Sequence, residues 1–460
     1  MSPAPAQITL GQWDERYAAL RAEGLREPSY GGPLSRHLAD GDRRLSCLRF
    51  DNSPAALRLW NFLLSEEDRL FAARREGKTI IGTMKDLGTV PIMAYALEDT
   101  VAFYPDGAWW QPCVMELSDG LLARADAMGI DESFCPVRAM LGAFETGEHF
   151  PAPDLLTCSV GATCDDFSAI AQRLSATGFP ILWWEIPPRR PCDPGEAAIR
   201  LPGGRRVSRS QVAFVTGQMQ HLAWAIGQTC GKRLRRRHLA QSIHQANRVR
   251  GLLGELREEA YRAAAAPLGA MEMLVAEMLA IHYCSDRDET VAVLEDLLAE
   301  VRRRVAAGTG VLEAAAARVY WVNPVADLRA MNLLEECGGR VCGTDYMFGH
   351  ALARIPTNVP PLEALARMAL ADPMVGPAGQ RAEDICADMA AAGAEAAVIS
   401  RIPGASHCAT EGAVIAEEIR GRLALPVVEI EVPPVIDAVM ASLKTRLSAL
   451  VERVKERRER

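Results

Sequence analysis

What this 460-residue chain lacks narrows its chemistry before any motif is read. No apolar run reaches the length a bilayer demands, so a membrane role is not expected. The opening residues, Met1-Ser-Pro-Ala-Pro-Ala-Gln7, have no basic stretch ahead of an apolar core, and a cytoplasmic location is expected. There is no Gly-x-x-x-x-Gly-Lys-Ser/Thr loop, which argues against ATP hydrolysis by the P-loop route. Gly-x-Gly-x-x-Gly after a strand, Gly-x-Ser-x-Gly and His-Glu-x-x-His are also missing. Their absence disfavours a bound dinucleotide, a hydrolase elbow and a zincin helix. Histidine is scarce, at eight residues, and the net charge of −8 speaks against non-specific nucleic-acid binding. The two basic clusters, Lys232–His238 and Lys455–Arg460, are expected to be solvated helix faces.

Cysteine is not scarce. Twelve of them in a chain without export features point to metal or cluster binding more than to disulfides, with buried apolar thiols as the ordinary alternative. About half of the residues are apolar and a quarter charged, which suits a globular protein with room for two or three domains.

Hydrophobic patterning predicts an α/β protein in four parts. Residues 1–78 read as a helical N-terminal region. Residues 79–207 read as a first α/β domain, with buried strands at Thr79–Thr83, Asp154–Cys158 and Pro180–Pro187. A helical stretch from Asp165 to Thr177 separates the last two, as in a parallel βαβ crossover. Residues 208–315 show only helical periodicity, with Ser208 a candidate cap and Gly231 a candidate stop for the first helix. Residues 316–460 resume the alternation, with strands at Arg318–Val322, Arg340–Gly343, Ala396–Ser400 and Pro426–Val432. The result is two flavodoxin- or Rossmann-like parallel-sheet domains joined by a helical layer. They look alike in build, although no sequence repeat relates them. Trp183 and Trp184 should point to opposite faces of their strand, into core on either side. Trp109 and Trp110 form a second aromatic pair, also read as core.

Three cysteines stand in recognisable settings. Cys135 lies in Ser133-Phe-Cys-Pro-Val-Arg138, and Cys164 ends Cys158-Ser-Val-Gly-Ala-Thr-Cys164 just before Asp165. Cys408 follows the apolar run Ala396–Ser400 and the loop ending in Ser406-His407. Ligands of open parallel sheets gather beyond the C-terminal ends of strands, where Cys158, Cys164 and Cys408 fall. If Cys135, Cys164 and Cys408 converge, they form a three-thiolate pocket for an iron–sulfur cluster with one iron free of protein ligands. The spacing matches no compact ferredoxin motif, so distant loops would have to assemble it. His407 could donate to a cluster sulfur or act as a proton source; an ordinary loop histidine is the alternative.

Taken together and in order, several pieces resemble the 2-hydroxyacyl-CoA dehydratase / benzoyl-CoA reductase family. They are Phe134-Cys-Pro-Val-Arg138, Pro151-Ala-Pro-Asp154, Cys164-Asp165, the Trp183–Pro187 strand, Thr229-Cys-Gly-Lys232, Cys408, Pro426–Glu431 and Lys444–Ser448. The resemblance runs from about residue 80 to the C-terminus and is nearest to the larger cluster-bearing subunit of benzoyl-CoA reductases. It implies a [4Fe–4S] cluster held by Cys135, Cys164 and Cys408, and a related cluster-bearing subunit as heterodimer partner, or a homodimer. It also implies an ATP-dependent iron–sulfur activator and one-electron (ketyl radical) chemistry on an acyl-CoA, in anaerobic metabolism. The outcome would be radical dehydration (a lyase) or aromatic-ring reduction (an oxidoreductase). Val90-Pro-Ile-Met-Ala94 and an inserted Pro403-Gly404 depart from the family pattern and leave the substrate open. The rival readings are an electron-relay subunit, a homodimeric double-cubane-cluster reductase of small molecules, and a cluster-free scaffold.

Overall fold

The computed structural model describes residues 4–24, 32–38, 44–86, 88–107, 118–281, 285–406 and 410–460. The first sheet comprises β1 (Thr79–Met84) and β2 (Thr100–Phe103), which are almost wholly buried, β3 (Leu155–Gly161), buried through its middle, and the half-buried β4 (Ile181–Ile186). All pairings are parallel, in the order β2-β1-β3-β4. The second sheet comprises β5 (Ala317–Val322), β6 (Gly339–Asp345), β7 (Ala396–Arg401) and β8 (Val427–Glu431). It is also all-parallel, in the order β6-β5-β7-β8. Within each half the order is thus second, first, third, fourth. The predicted likeness of the two halves is a likeness of topology, and both are flavodoxin-like.

Register makes the likeness finer. Met84 lies opposite Cys158 in the first sheet, and Val322 opposite Ile399 in the second. The residues that follow β1 and β5, Lys85 and Asn323, both have positive φ, 56° and 66°. The carbonyl of each accepts a serine hydroxyl from the neighbouring strand, Ser159 for Lys85 and Ser400 for Asn323.

Helices cover both sheets. Asp165–Ala176 (α1) forms the crossover between β3 and β4. Arg209–Thr229 (α2) starts where Ser208 Oγ accepts the Gln211 amide at 3.3 Å, and it is followed by Gly231 with φ +61°. Arg236–Arg262 (α3) and Arg287–Ala307 (α4) pack on one another, and the shorter Ala270–Met278 touches α3 and packs against Pro54–Leu64. The sequence reading overlooked Pro361–Ala371 (α5), which packs against α2. Its Leu365 and Ala366 share a core with Ile81, Ala102 and Trp184 of the first sheet. It also overlooked β2. Trp184 enters that core while Trp183 packs against the larger one on the opposite face, as strand alternation requires. Trp109 and Trp110 lie outside the described residues.

The N-terminal region contributes Leu10–Ala22, Pro54–Leu64 and Glu66–Arg75, plus a short antiparallel pair, Gln7–Ile8 with Phe50–Asp51. The larger core runs through both halves, taking in Ile80 and Leu156 from the first sheet and Val319 and Val398 from the second. No described helix is long and apolar enough to cross a membrane.

Candidate functional site

Loops that carry Cys135 and Cys164, and the described residues 402–406 ahead of Cys408, come together in the fold. In a sheet of this order the crevice opens beside the first and third strands, where the order reverses. In the first half that places Lys85 and Cys164 at the crevice. In the second half it places Asn323 and the loop after β7, which leads to Cys408. Cys408 and His407 themselves lie outside the described residues.

Cys164 caps the start of α1 and is 8% exposed. Its Sγ donates to Asp166 Oδ2 at 3.4 Å. The same carboxylate oxygen accepts the backbone N–H and the hydroxyl of Ser406, each at 3.0 Å. Asp166 is itself buried, so a single oxygen ties the Cys164 turn to the residue two positions before Cys408. Burial pushes the Cys164 thiol up to about 12, and the neighbouring Asp166 charge adds to it. Burial likewise raises Cys158 to about 12, against the opposing pull of Lys85. A thiol in such a place ionises when a metal replaces its proton.

Cys135 is half-buried and precedes the short 3-10 turn Pro136–Arg138. Proline suits the first position of such a turn because its missing N–H has no partner there to lose. Arg138 Nη1 donates to the Phe134 carbonyl at 3.2 Å, its Nε bonds Asp126 at 3.3 Å, and its amide donates to the Cys135 carbonyl at 2.9 Å. The arginine of the Phe-Cys-Pro-Val-Arg stretch therefore fixes the cysteine's backbone. The same turn packs against α1.

The third loop closes on this turn. Gly404 has φ +78°, and a Cβ there would stand 2.4 Å from the Phe134 carbonyl oxygen and 3.0 Å from that of Glu132. Only glycine lets the backbone come so near. Pro403-Gly404, read from the sequence as an insertion, is thus the point at which the Cys408 loop touches the residue before Cys135. Three loops from distant parts of the chain meet, two of them bearing Cys135 and Cys164 and the third leading to Cys408. Among the described residues, which leave out Cys408, no three His, Cys, Asp or Glu side chains are grouped as a metal site.

Sequence reasoning missed two members of the site, Asp166 and Lys85. Lys85 is 8% exposed, and its ammonium donates to Ser168 Oγ at 3.2 Å in the first turn of α1. Burial lowers its pKa, opposed by the nearby Cys158, Cys164, Asp165 and Asp166. Beside it, the buried Asp86 accepts the amides of Thr89 (3.1 Å) and Val90 (2.8 Å), capping the turn Val90–Ala94. A cavity of about 260 Å³ begins at Gly88 and lies between that turn, α3 and α4, with Tyr95, Arg248 and Arg287 in its lining.

The donor chemistry suits iron. Thiols are its usual protein ligands in sulfide clusters, and Cys164 is buried while Cys135 is half-buried. Residues 94–454 match the sequence model of one protein family, HGD-D, described as the 2-hydroxyglutaryl-CoA dehydratase D-component. No curated protein matches the chain. The match covers most of the sequence and takes in all three loops of the crevice. The chain therefore belongs to the 2-hydroxyglutaryl-CoA dehydratase D-component family.

Proposed function

We propose that this chain is the [4Fe–4S]-bearing component of an ATP-activated, low-potential acyl-CoA enzyme. In this reading Cys135, Cys164 and Cys408 hold the cluster, and the reaction is of the 2-hydroxyacyl-CoA dehydratase or the benzoyl-CoA reductase type. The D-component description implies a companion component, and a related cluster-bearing subunit or a second copy would fill that place. A separate iron–sulfur activator would supply the ATP-driven electron, in keeping with the absence of a P-loop here. The cluster would supply one-electron reduction at an iron left free of protein ligands.

The observation that carries the reading is the Asp166 carboxylate. One oxygen holds both the Cys164 turn and the backbone leading to Cys408, while Gly404 brings that same backbone onto the Cys135 turn. Each loop is fixed by bonds of its own, which is what a site assembled from distant segments needs before a cluster binds. Lys85 and the amide dipoles at the start of α1 contribute positive charge at the crevice, beside the acidic Asp165 and Asp166. That positive charge would stabilise a thioester carbonyl as it gains an electron in a place with little water. The cavity at Gly88, lined by Ile92, Tyr95 and Val249, is the place this reading assigns to part of the acyl-CoA.

The test is electron paramagnetic resonance of anaerobically reduced protein, alone and after addition of benzoyl-CoA or a 2-hydroxyacyl-CoA. A spectral change with one thioester supports a substrate-binding cluster and selects between the two reactions. A cluster signal unmoved by either thioester would make the chain an electron relay.

A further inference from the structure

The twofold likeness of the halves isolates one residue that local structure does not account for. Lys85 and Asn323 occupy matching positions, each just past the first strand of its half, and each carbonyl is held by the matching serine, Ser159 or Ser400. Asparagine suits this place. It tolerates the left-handed backbone, and both ends of its amide are engaged, donating to the Ser400 carbonyl at 3.1 Å and accepting from Arg381 at 2.8 Å. Lysine gains nothing from the same backbone.

Its side chain is placed at further cost. The ammonium is buried, and among the described residues it makes one hydrogen bond, to Ser168 Oγ, and no ion pair. It sits at the first turn of α1, where the helix dipole is positive and repels a cation. The ionisable groups that act on it most strongly are Cys158, Cys164, Asp165 and Asp166, and the buried Asp86 is its chain neighbour. Asp166 is already engaged by Cys164 and Ser406. A buried cation in a left-handed backbone at a helix N-terminus is costly, and further negative charge in the crevice would offset that cost.

We propose that Lys85 is a positioning residue for charge, the counter-ion of an iron–sulfur cluster bound through Cys164, and that it raises the cluster's reduction potential. This rests on the cluster reading given above. When the cluster takes one electron from a low-potential donor its charge becomes more negative by one, and a fixed ammonium beside it favours the reduced form without any proton transfer.

The test compares the full chain, purified anaerobically, with Lys85→Met and Lys85→Arg. It measures iron and sulfide per chain and the midpoint potential of the cluster signal during titration with a titanium(III) reductant. With wild-type iron retained, Lys85→Met should show a more negative midpoint, and Lys85→Arg should stay near the wild type. Loss of iron in Lys85→Met with retention in Lys85→Arg also supports the counter-ion. An unchanged midpoint in an iron-replete Lys85→Met overturns the proposal. So does equal behaviour of the two variants, whether both lose iron or both shift alike, because the role would then be one of shape. Absence of iron from the wild-type chain itself sinks the cluster reading, and this inference falls with it.

Discussion

Asp166 shows how much one buried side chain can organise. Its Oδ2 accepts three hydrogen bonds, from Cys164 Sγ and from the amide and hydroxyl of Ser406. Replacing it with alanine removes the acceptor shared by Cys164 Sγ and by the amide and hydroxyl of Ser406. Asp166→Ala should cost about 2 kcal/mol of stability, the range for losing hydrogen bonds to a buried charged acceptor. Urea denaturation at neutral pH checks this, and a midpoint equal to the wild type would mean the loops are held by other contacts. The three cysteines were legible in the sequence because each sits in a distinctive setting. Asp166 and Lys85 were not, because their meaning depends on tertiary placement. Asp166 looked like an ordinary acid in the first turn of a helix. Lys85 gained significance only when strand register gave it the position in its half that Asn323 holds in the other. Gly404 read as part of an insertion, and its close approach to Phe134 follows from the folding of two loops some 270 residues apart in the chain.

At the scale of elements, β1, β3, β5 and β7 were readable because they are short, almost continuously apolar runs, as strands buried on both faces must be. β2 was not. It has four residues, Thr100–Phe103, and follows the polar Glu98-Asp99, so neither length nor alternation marks it. α5 follows Pro360-Pro361, which reads as a loop, although proline is well tolerated in a first helical turn. Polar joints between elements were also invisible. Glu272, on Ala270–Met278, accepts the Asp51 amide and the Trp60 indole N–H, both at 3.0 Å. Glu335, on Arg329–Glu336, accepts the Ala270 amide at 2.7 Å and the Gln7 side chain at 2.6 Å. Burial pushes both carboxyls up to about 7, well above the unfolded range near 4.3. Between those values the folded protein holds protons that the unfolded chain has released. Stability from these groups is therefore complete at low pH, declines as pH rises towards 7, and levels off above it. Glu335→Gln keeps an acceptor for Ala270 and removes one titration. The difference in unfolding free energy between pH 5 and pH 8 should shrink in the variant; an undiminished difference would contradict the assignment.

For the whole molecule, two sheets of the same strand order bring loops together, the Cys135 and Cys164 turns from the first half and residues 404–406 from the second. The parallel α/β class, the helical layer between the halves and their likeness follow from the alternation of apolar runs and helical periodicity. How the halves face one another does not, since it is set by contacts such as Asp166 with Ser406 and Gly404 with Phe134. The central claim is that this crevice is a three-cysteine cluster site. Its most direct test is iron and sulfide content per chain after anaerobic purification, for the wild type and for single alanine substitutions of Cys135, Cys164 and Cys408. The account predicts about four irons per wild-type chain and loss of iron in each variant. A wild-type chain without iron, or variants that keep it, would contradict the claim, and about eight irons would indicate a double cubane in place of the single cluster.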